Sequence, residues 1–166
     1  MIEIDSAYEQ RSAGLWATLD DHDEESFLAA IEDLVTELPA GSPLAAFERG
    51  CAQDSHGHSD RAVPLYRQAL AGGLDPYRRR RATIQMSSSL RNIGALDEAT
   101  ELLTAELARP ADELSDAVVC TLALCLADAG REREALSMAL QALAAHLPRY
   151  QRSMTNYARG LVETVS

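Results

Sequence analysis

A Gly followed five positions later by an Ala recurs three times in this chain, and no other feature limits the fold as strongly. The segments are His56-Gly57-His58-Ser59-Asp60-Arg61-Ala62, Ile93-Gly94-Ala95-Leu96-Asp97-Glu98-Ala99 and Ala129-Gly130-Arg131-Glu132-Arg133-Glu134-Ala135. Their alanines stand 37 and 36 residues apart. A fixed period of this length marks a stack of like supersecondary units. Other columns keep the register. Seven residues before each Gly stands a small residue (Gly50, Ser87, Ala123), and four after each Ala stands Tyr66, Leu103 or Ala139. Seven and eight after the Ala come Ala69-Leu70, Glu106-Leu107 and Ala142-Leu143. The unit this describes is helix–turn–helix. Small residues let two helices approach, the Gly makes the turn, and the apolar positions fill the seam.

These columns resemble the tetratricopeptide repeat at the small residue, the Gly turn, the Ala, the Tyr/Leu and the second Ala, over about Pro43 to Leu147. The pattern departs at the aromatic position early in the first helix, at Glu106, where the family has Ala, and at the closing Pro. Arg61-Ala62-Val63-Pro64-Leu65-Tyr66-Arg67 followed by Arg91-Asn92-Ile93-Gly94 is similar, more narrowly, to a bacterial subgroup of uncharacterised tetratricopeptide proteins. The fold expected is all-α, a right-handed α-solenoid of antiparallel helix pairs with about nine helices and no strand. Three repeats are expected within 42–147, at about 43–74, 75–110 and 111–147. A degenerate helix pair precedes them (1–41) and a capping helix follows (148–166).

The flanks carry their own periodicity. Tyr8, Leu15, Trp16 and Leu19 fit one face of a first helix, and Phe27, Ile31, Leu34 and Leu38 form the stripe of a second. Tyr150, Met154, Tyr157 and Leu161 repeat that spacing and are expected to cover the third repeat, as terminal elements of solenoids do. Ser42-Pro43 and Asp75-Pro76 place a capping side chain before a Pro at the first helical position. Leu147-Pro148 is expected to open the last helix. Pro64 falls inside its helix and forfeits one backbone hydrogen bond.

Composition removes several functions. All fifteen basic residues are Arg, against 26 acidic ones, for a net charge of −11. Such a balance speaks against nucleic acid as partner, which calls for clustered positive charge. Without Lys there is no Walker-type loop and no kinase pattern. The apolar stretch Ala117 to Ala127 is far short of the roughly 20 residues a bilayer span needs. The acidic start Met1-Ile2-Glu3-Ile4-Asp5 is unlike a signal or transit peptide. Three Cys without CxxC spacing point to a reducing, cytoplasmic home. Cys120 and Cys125 are expected to be buried, and Cys51 to be more exposed. No nucleophile elbow and no HExxH are present, and neither His56-Gly57-His58 nor the acidic run Asp20 to Glu25 has metal-loop spacing, so neither enzyme activity nor a cofactor or metal is expected. The former reads as a polar turn, the latter as acidic residues meeting a helix dipole.

The one basic concentration is Arg78-Arg79-Arg80-Arg81, with Arg91 ten residues on. Arg81, Ser88, Arg91 and Asn92 fall near a common helix face with Ile84. The resemblance implies that the first helix of each repeat lines a concave groove. By register the groove positions are Phe47, Cys51, Asp54 and Ser55, then Arg81, Ile84, Ser88, Arg91 and Asn92, then Ala117, Cys120, Leu124, Ala127 and Asp128. The function implied is a noncatalytic interaction module that takes a peptide or protein partner in this groove. Arg81, Arg91 and Asn92 would meet acidic or carbonyl groups, and Phe47, Ile84 and Leu124 would supply apolar contact. A homodimer is expected, with the acidic run Asp20 to Glu25 of one subunit meeting Arg78 to Arg81 of the other. A regulator that senses a ligand or peptide, and a self-assembling structural protein whose groove is filled in the oligomer, are the alternatives.

Overall fold

A computed structural model describes residues 6–163; the expectation placed on residues 1–5 lies outside them. Among the described residues the structure is all-α. Its helices are α1 (Ser6–Ala17), α2 (Glu24–Val35), α3 (Pro43–Ser55), α4 (Ser59–Gly72), α5 (Pro76–Asn92), α6 (Leu96–Leu107), α7 (Ser115–Asp128), α8 (Glu132–Ala144) and α9 (Gln151–Gly160), with a short 3-10 turn at Leu19–Asp21. The chain divides into two compact units between Ser89 and Leu90, inside α5.

The recurring Gly acts in the same way each time. Gly57, Gly94 and Gly130 hold φ of 80°, 83° and 75°, a region that costs a side chain dearly and a glycine nothing. Each ends its helix in one pattern. The glycine N–H bonds the carbonyl three residues back (2.9, 3.0 and 3.0 Å), and the next N–H bonds the carbonyl five back (2.9, 2.8 and 2.8 Å). This Schellman closure satisfies carbonyls that a helix end would otherwise leave bare. The alanines that define the period, Ala62, Ala99 and Ala135, are all buried.

In the first unit α3 packs antiparallel on α4, and Gly50 meets Tyr66 closely. A Cβ on Gly50 would lie 3.0 Å from the tyrosine ring. At this position of the small-residue column the absence of a side chain makes room for a large ring. The α1–α2 core is Phe27, Ile31 and Val35 packed with Ala45 and Ala52 of α3, with Leu15, Trp16, Leu19 and Leu38 at its edge. Arginine forks tie its helices together. Arg11 pairs with Glu37, Arg49 with Glu32 at 2.7 Å, and Arg78 with both Glu9 and Asp75. Such planar two-pronged pairing suits guanidinium better than ammonium, which accords with a chain that uses Arg alone.

The second unit packs α6 on α7, α7 on α8 and α8 on α9. Glu106, the departure from the family's Ala, is 3% exposed and lies 3.2 Å from Arg109, which offsets its charge. Three details differ from expectation. Ser42 precedes α3 without a side-chain capping bond, whereas Asp75 accepts from the Arg78 N–H at 3.0 Å. The last helix opens at Gln151, because the chain turns through Tyr150 at φ 69° after Leu147-Pro148. Its tyrosines do not pack inward: Tyr150 and Tyr157 are 75% and 70% exposed, and Ala158 fills the inner position.

Candidate functional site

In the first unit, α3 and α5 lie side by side through three contacts spaced one helical turn apart. The Arg81 guanidinium sits 5.2 Å from the Phe47 ring centroid and 6.0 Å from that of Tyr77. One turn on, the Cys51 thiol donates to Gln85 Oε1 at 3.5 Å. A turn further, Ser89 Oγ donates to Asp54 Oδ1 at 2.6 Å, and Tyr66 OH donates to Asp54 Oδ2 at 3.4 Å. Burial raises the Asp54 carboxyl above its ordinary value, and the two hydroxyls counter that only in part.

The groove row expected on α3 is therefore a seam. Phe47 and Cys51 are 1% and 3% exposed, so Phe47 reaches a ligand only through the cation it carries. On α5 the surface left open is Arg81, Ile84, Gln85 and Ser88, all half-buried. Arg81 differs from its neighbours in the basic run. Arg78 is held by Glu9 and Asp75, and Arg80 is 3% exposed. No ion pair forms on Arg81 among the described residues, and the rings fix it in place. A cation held over aromatic faces with its N–H donors open is preorganised for a carboxylate or carbonyl. Tyr77, Gln85 and the buried acid Glu48 were not legible as neighbours in the sequence. An aromatic four residues before Arg81 was the available signal for Tyr77.

In the second unit Arg91 meets Asp128, with Nε 2.6 Å from Oδ2, a close charge contact rather than an aligned hydrogen bond. The pair joins the end of α5 to the end of α7, so the charge of Arg91 is answered within the chain. Asn92 is exposed, and Leu124 is 51% exposed on α7 with Ala117 and Cys120 on the same face.

The cysteines sort differently from expectation. Cys51 and Cys125 are buried and Cys120 is exposed. Burial pushes the Cys51 thiol up to about 12 and raises Cys125 as well, so neither supplies thiolate at neutral pH. One thiol of the three is expected to react promptly with an aromatic disulfide reagent in native buffer, and all three in denaturant. Prompt reaction in a Cys120→Ser variant would refute this placement.

Around the turn His56-Gly57-His58, His58 Nε2 lies 2.7 Å from Glu24 Oε1, and the His56 ring packs 5.7 Å from that of Phe27. Among the described residues no three His, Cys, Asp or Glu side chains converge as a metal site. Nor is any helix there long and apolar enough to cross a membrane.

Antiparallel helix pairs closed by one repeated glycine turn, with first helices laid side by side, define a helical-repeat scaffold. Residues 43–161 match the family described as Tetratrico peptide repeat, and the chain belongs to it. No curated protein and no solved structure matches the chain. The family's members are scaffolds for protein–protein interaction.

Proposed function

We propose that the chain is a noncatalytic, cytoplasmic module that captures a peptide or protein segment on the first-helix face, and that it works as a homodimer. The observation that carries the reading is Arg81: a guanidinium clamped by Phe47 and Tyr77, with no carboxylate on it. It directs an acidic side chain or a peptide carbonyl to α5, where Ile84 and Ser88 line the same face. The second unit offers the apolar Leu124, the exposed Asn92 and the Arg91–Asp128 pair. A partner carboxylate at Arg91 must displace Asp128, so the first contact belongs to Arg81.

Peptides selected from a random display library on the wild-type protein are expected to carry acidic residues. They should bind Arg81→Gln at least about tenfold more weakly, a loss of about 1.4 kcal/mol. Equal affinity for wild type and Arg81→Gln would move the binding surface elsewhere.

A further inference from the structure

The second unit ends in a helix whose aromatic face is turned to solvent. Two side chains of α8 bond backbone carbonyls to fix α9 on it, Ser137 Oγ to Ala158 at 2.7 Å and Arg133 Nε to Leu161 at 2.9 Å, and Gln151 Nε2 ties the start of α9 to Leu147 of the connection at 2.9 Å. That orientation buries Ala158 and turns Tyr150, Met154 and Tyr157 toward an open cleft of about 610 Å³, whose floor is Leu147 and Pro148. On α8, Leu136 and Leu143 are 50% and 55% exposed, two turns apart. With Val162 these make five of the eight large hydrophobic side chains exposed among the described residues, all from the last two helices or just beyond. Scattered exposure needs no explanation, but Tyr150 and Tyr157 share one cleft, and paired exposed aromatics mark an interaction surface. Tyr150 is also the one non-glycine residue with positive φ among the described residues. A bulky aromatic stands where Gly or Asn would sit without strain.

Charge names the occupant. Residues 148–166 hold three arginines and one glutamate, while residues 1–147 hold 12 arginines and 25 acidic side chains. Arg149 lines the cleft, Arg152 and Arg159 line the neighbouring groove on the other flank of α9, all three are exposed, and none of them forms an ion pair among the described residues. A helix with an aromatic cleft on one flank and unpaired arginines on the other presents its outer side to an acidic partner, and the rest of this same chain is acidic. Its densest exposed run is Asp20, Asp21, Asp23, Glu24 and Glu25.

We propose that the α8–α9 face binds a second copy of this chain. Tyr150 and Tyr157 are the buried anchors, and Arg149, Arg152 and Arg159 meet the acidic run Asp20 to Glu25 of the second copy. Aromatic anchors with Arg at their edge are the composition that carries most binding energy at protein interfaces. The assignment rests on the homodimer of the preceding section and is independent of peptide capture at Arg81. It replaces the basic run at Arg78 to Arg81, two of whose members the first unit pairs or buries.

Light scattering and sedimentation of the whole chain, over a hundredfold concentration range at low and high salt, test it. Wild type is expected to dimerise. Tyr150→Asn with Tyr157→Ser, both at exposed positions and the first suited to its backbone, should raise the dissociation constant about tenfold or more. Arg152→Glu with Arg159→Glu should weaken the dimer and flatten its salt dependence, and adding Asp20→Arg with Asp21→Arg should restore it. Unchanged far-ultraviolet circular dichroism, with thermal melts compared at a concentration where wild type is also monomeric, excludes misfolding as the cause. A monomer at every concentration overturns both the dimer and this surface. A dimer indifferent to both pairs of substitutions overturns the surface alone, and neither result touches the Arg81 test.

Discussion

Replacing Tyr66 by alanine is expected to cost about 3–5 kcal/mol of stability, the range for deleting a large aromatic from a packed core. Tyr66 is the largest fully buried side chain, with no exposed surface. Its ring fills the space over Gly50 and packs 6.3 Å from Phe47. Glycine has no side chain to lean into the vacated volume, so the cavity stays open, and open cavities are the costly ones. A domain of this length loses about 2–4 °C of melting temperature per kcal/mol, which predicts a fall of about 6–20 °C. Tyr66→Phe separates ring from hydroxyl. The bond to Asp54 is long at 3.4 Å, and Ser89 still donates to that carboxylate, so the loss should stay under about 1 kcal/mol. An alanine variant that melts within about 2 °C of wild type would refute this account of the α3–α4 seam.

The repeat was legible because one backbone requirement recurs. Only a residue tolerant of positive φ closes the helix as Gly57, Gly94 and Gly130 do, so sequence and geometry share one period. The helices of the first pair were legible for a similar reason, since Phe27, Ile31 and Leu34 face a core at helical spacing. The site was harder to read. Periodicity says which residues share a helix face, but not whether the next helix covers that face. Phe47 and Cys51 have the register of groove residues and are buried because α5 lies over them. Tyr150 and Tyr157 have the register of core residues and are exposed because nothing among the described residues packs on that side of α9. In both cases the missing information was a neighbour, and neighbours of distant sequence leave no trace in a local pattern.

Glu48 shows the same limit, and it sets the second large effect. It stands in the run Leu44-Ala45-Ala46-Phe47 on α3 and is 5% exposed. Trp16 Nε1 donates to its Oε2 at 2.7 Å and Ser12 Oγ to its Oε1 at 3.2 Å, which ties α1 to α3. Glu48→Ala leaves the indole N–H without its acceptor and opens a cavity beside it, so a loss of about 2–3 kcal/mol is expected. Glu48→Gln keeps an acceptor for the indole and removes the charge. Burial raises the Glu48 carboxyl above its ordinary 4.5, against the pull of the two hydrogen bonds and of Arg78 and Arg81. A carboxyl raised in the folded state contributes stability that is full below its unfolded value and fades as pH rises through its folded value. Wild type should therefore lose stability relative to Glu48→Gln across that window above 4.5, and the gap should then stay level toward neutral pH. Asp75 acts in the opposite sense. Burial favours its neutral form, but the Arg78 N–H and guanidinium outweigh this and hold its carboxyl low, so its contribution is lost as pH falls. That term is common to both proteins and cancels in the difference. Urea denaturation of the pair from pH 4 to 8 reads the gap directly. Curves that run parallel over the whole range would mean that Glu48 ionises in the fold as freely as in the unfolded chain, and the buried tie between α1 and α3 would have to be redrawn.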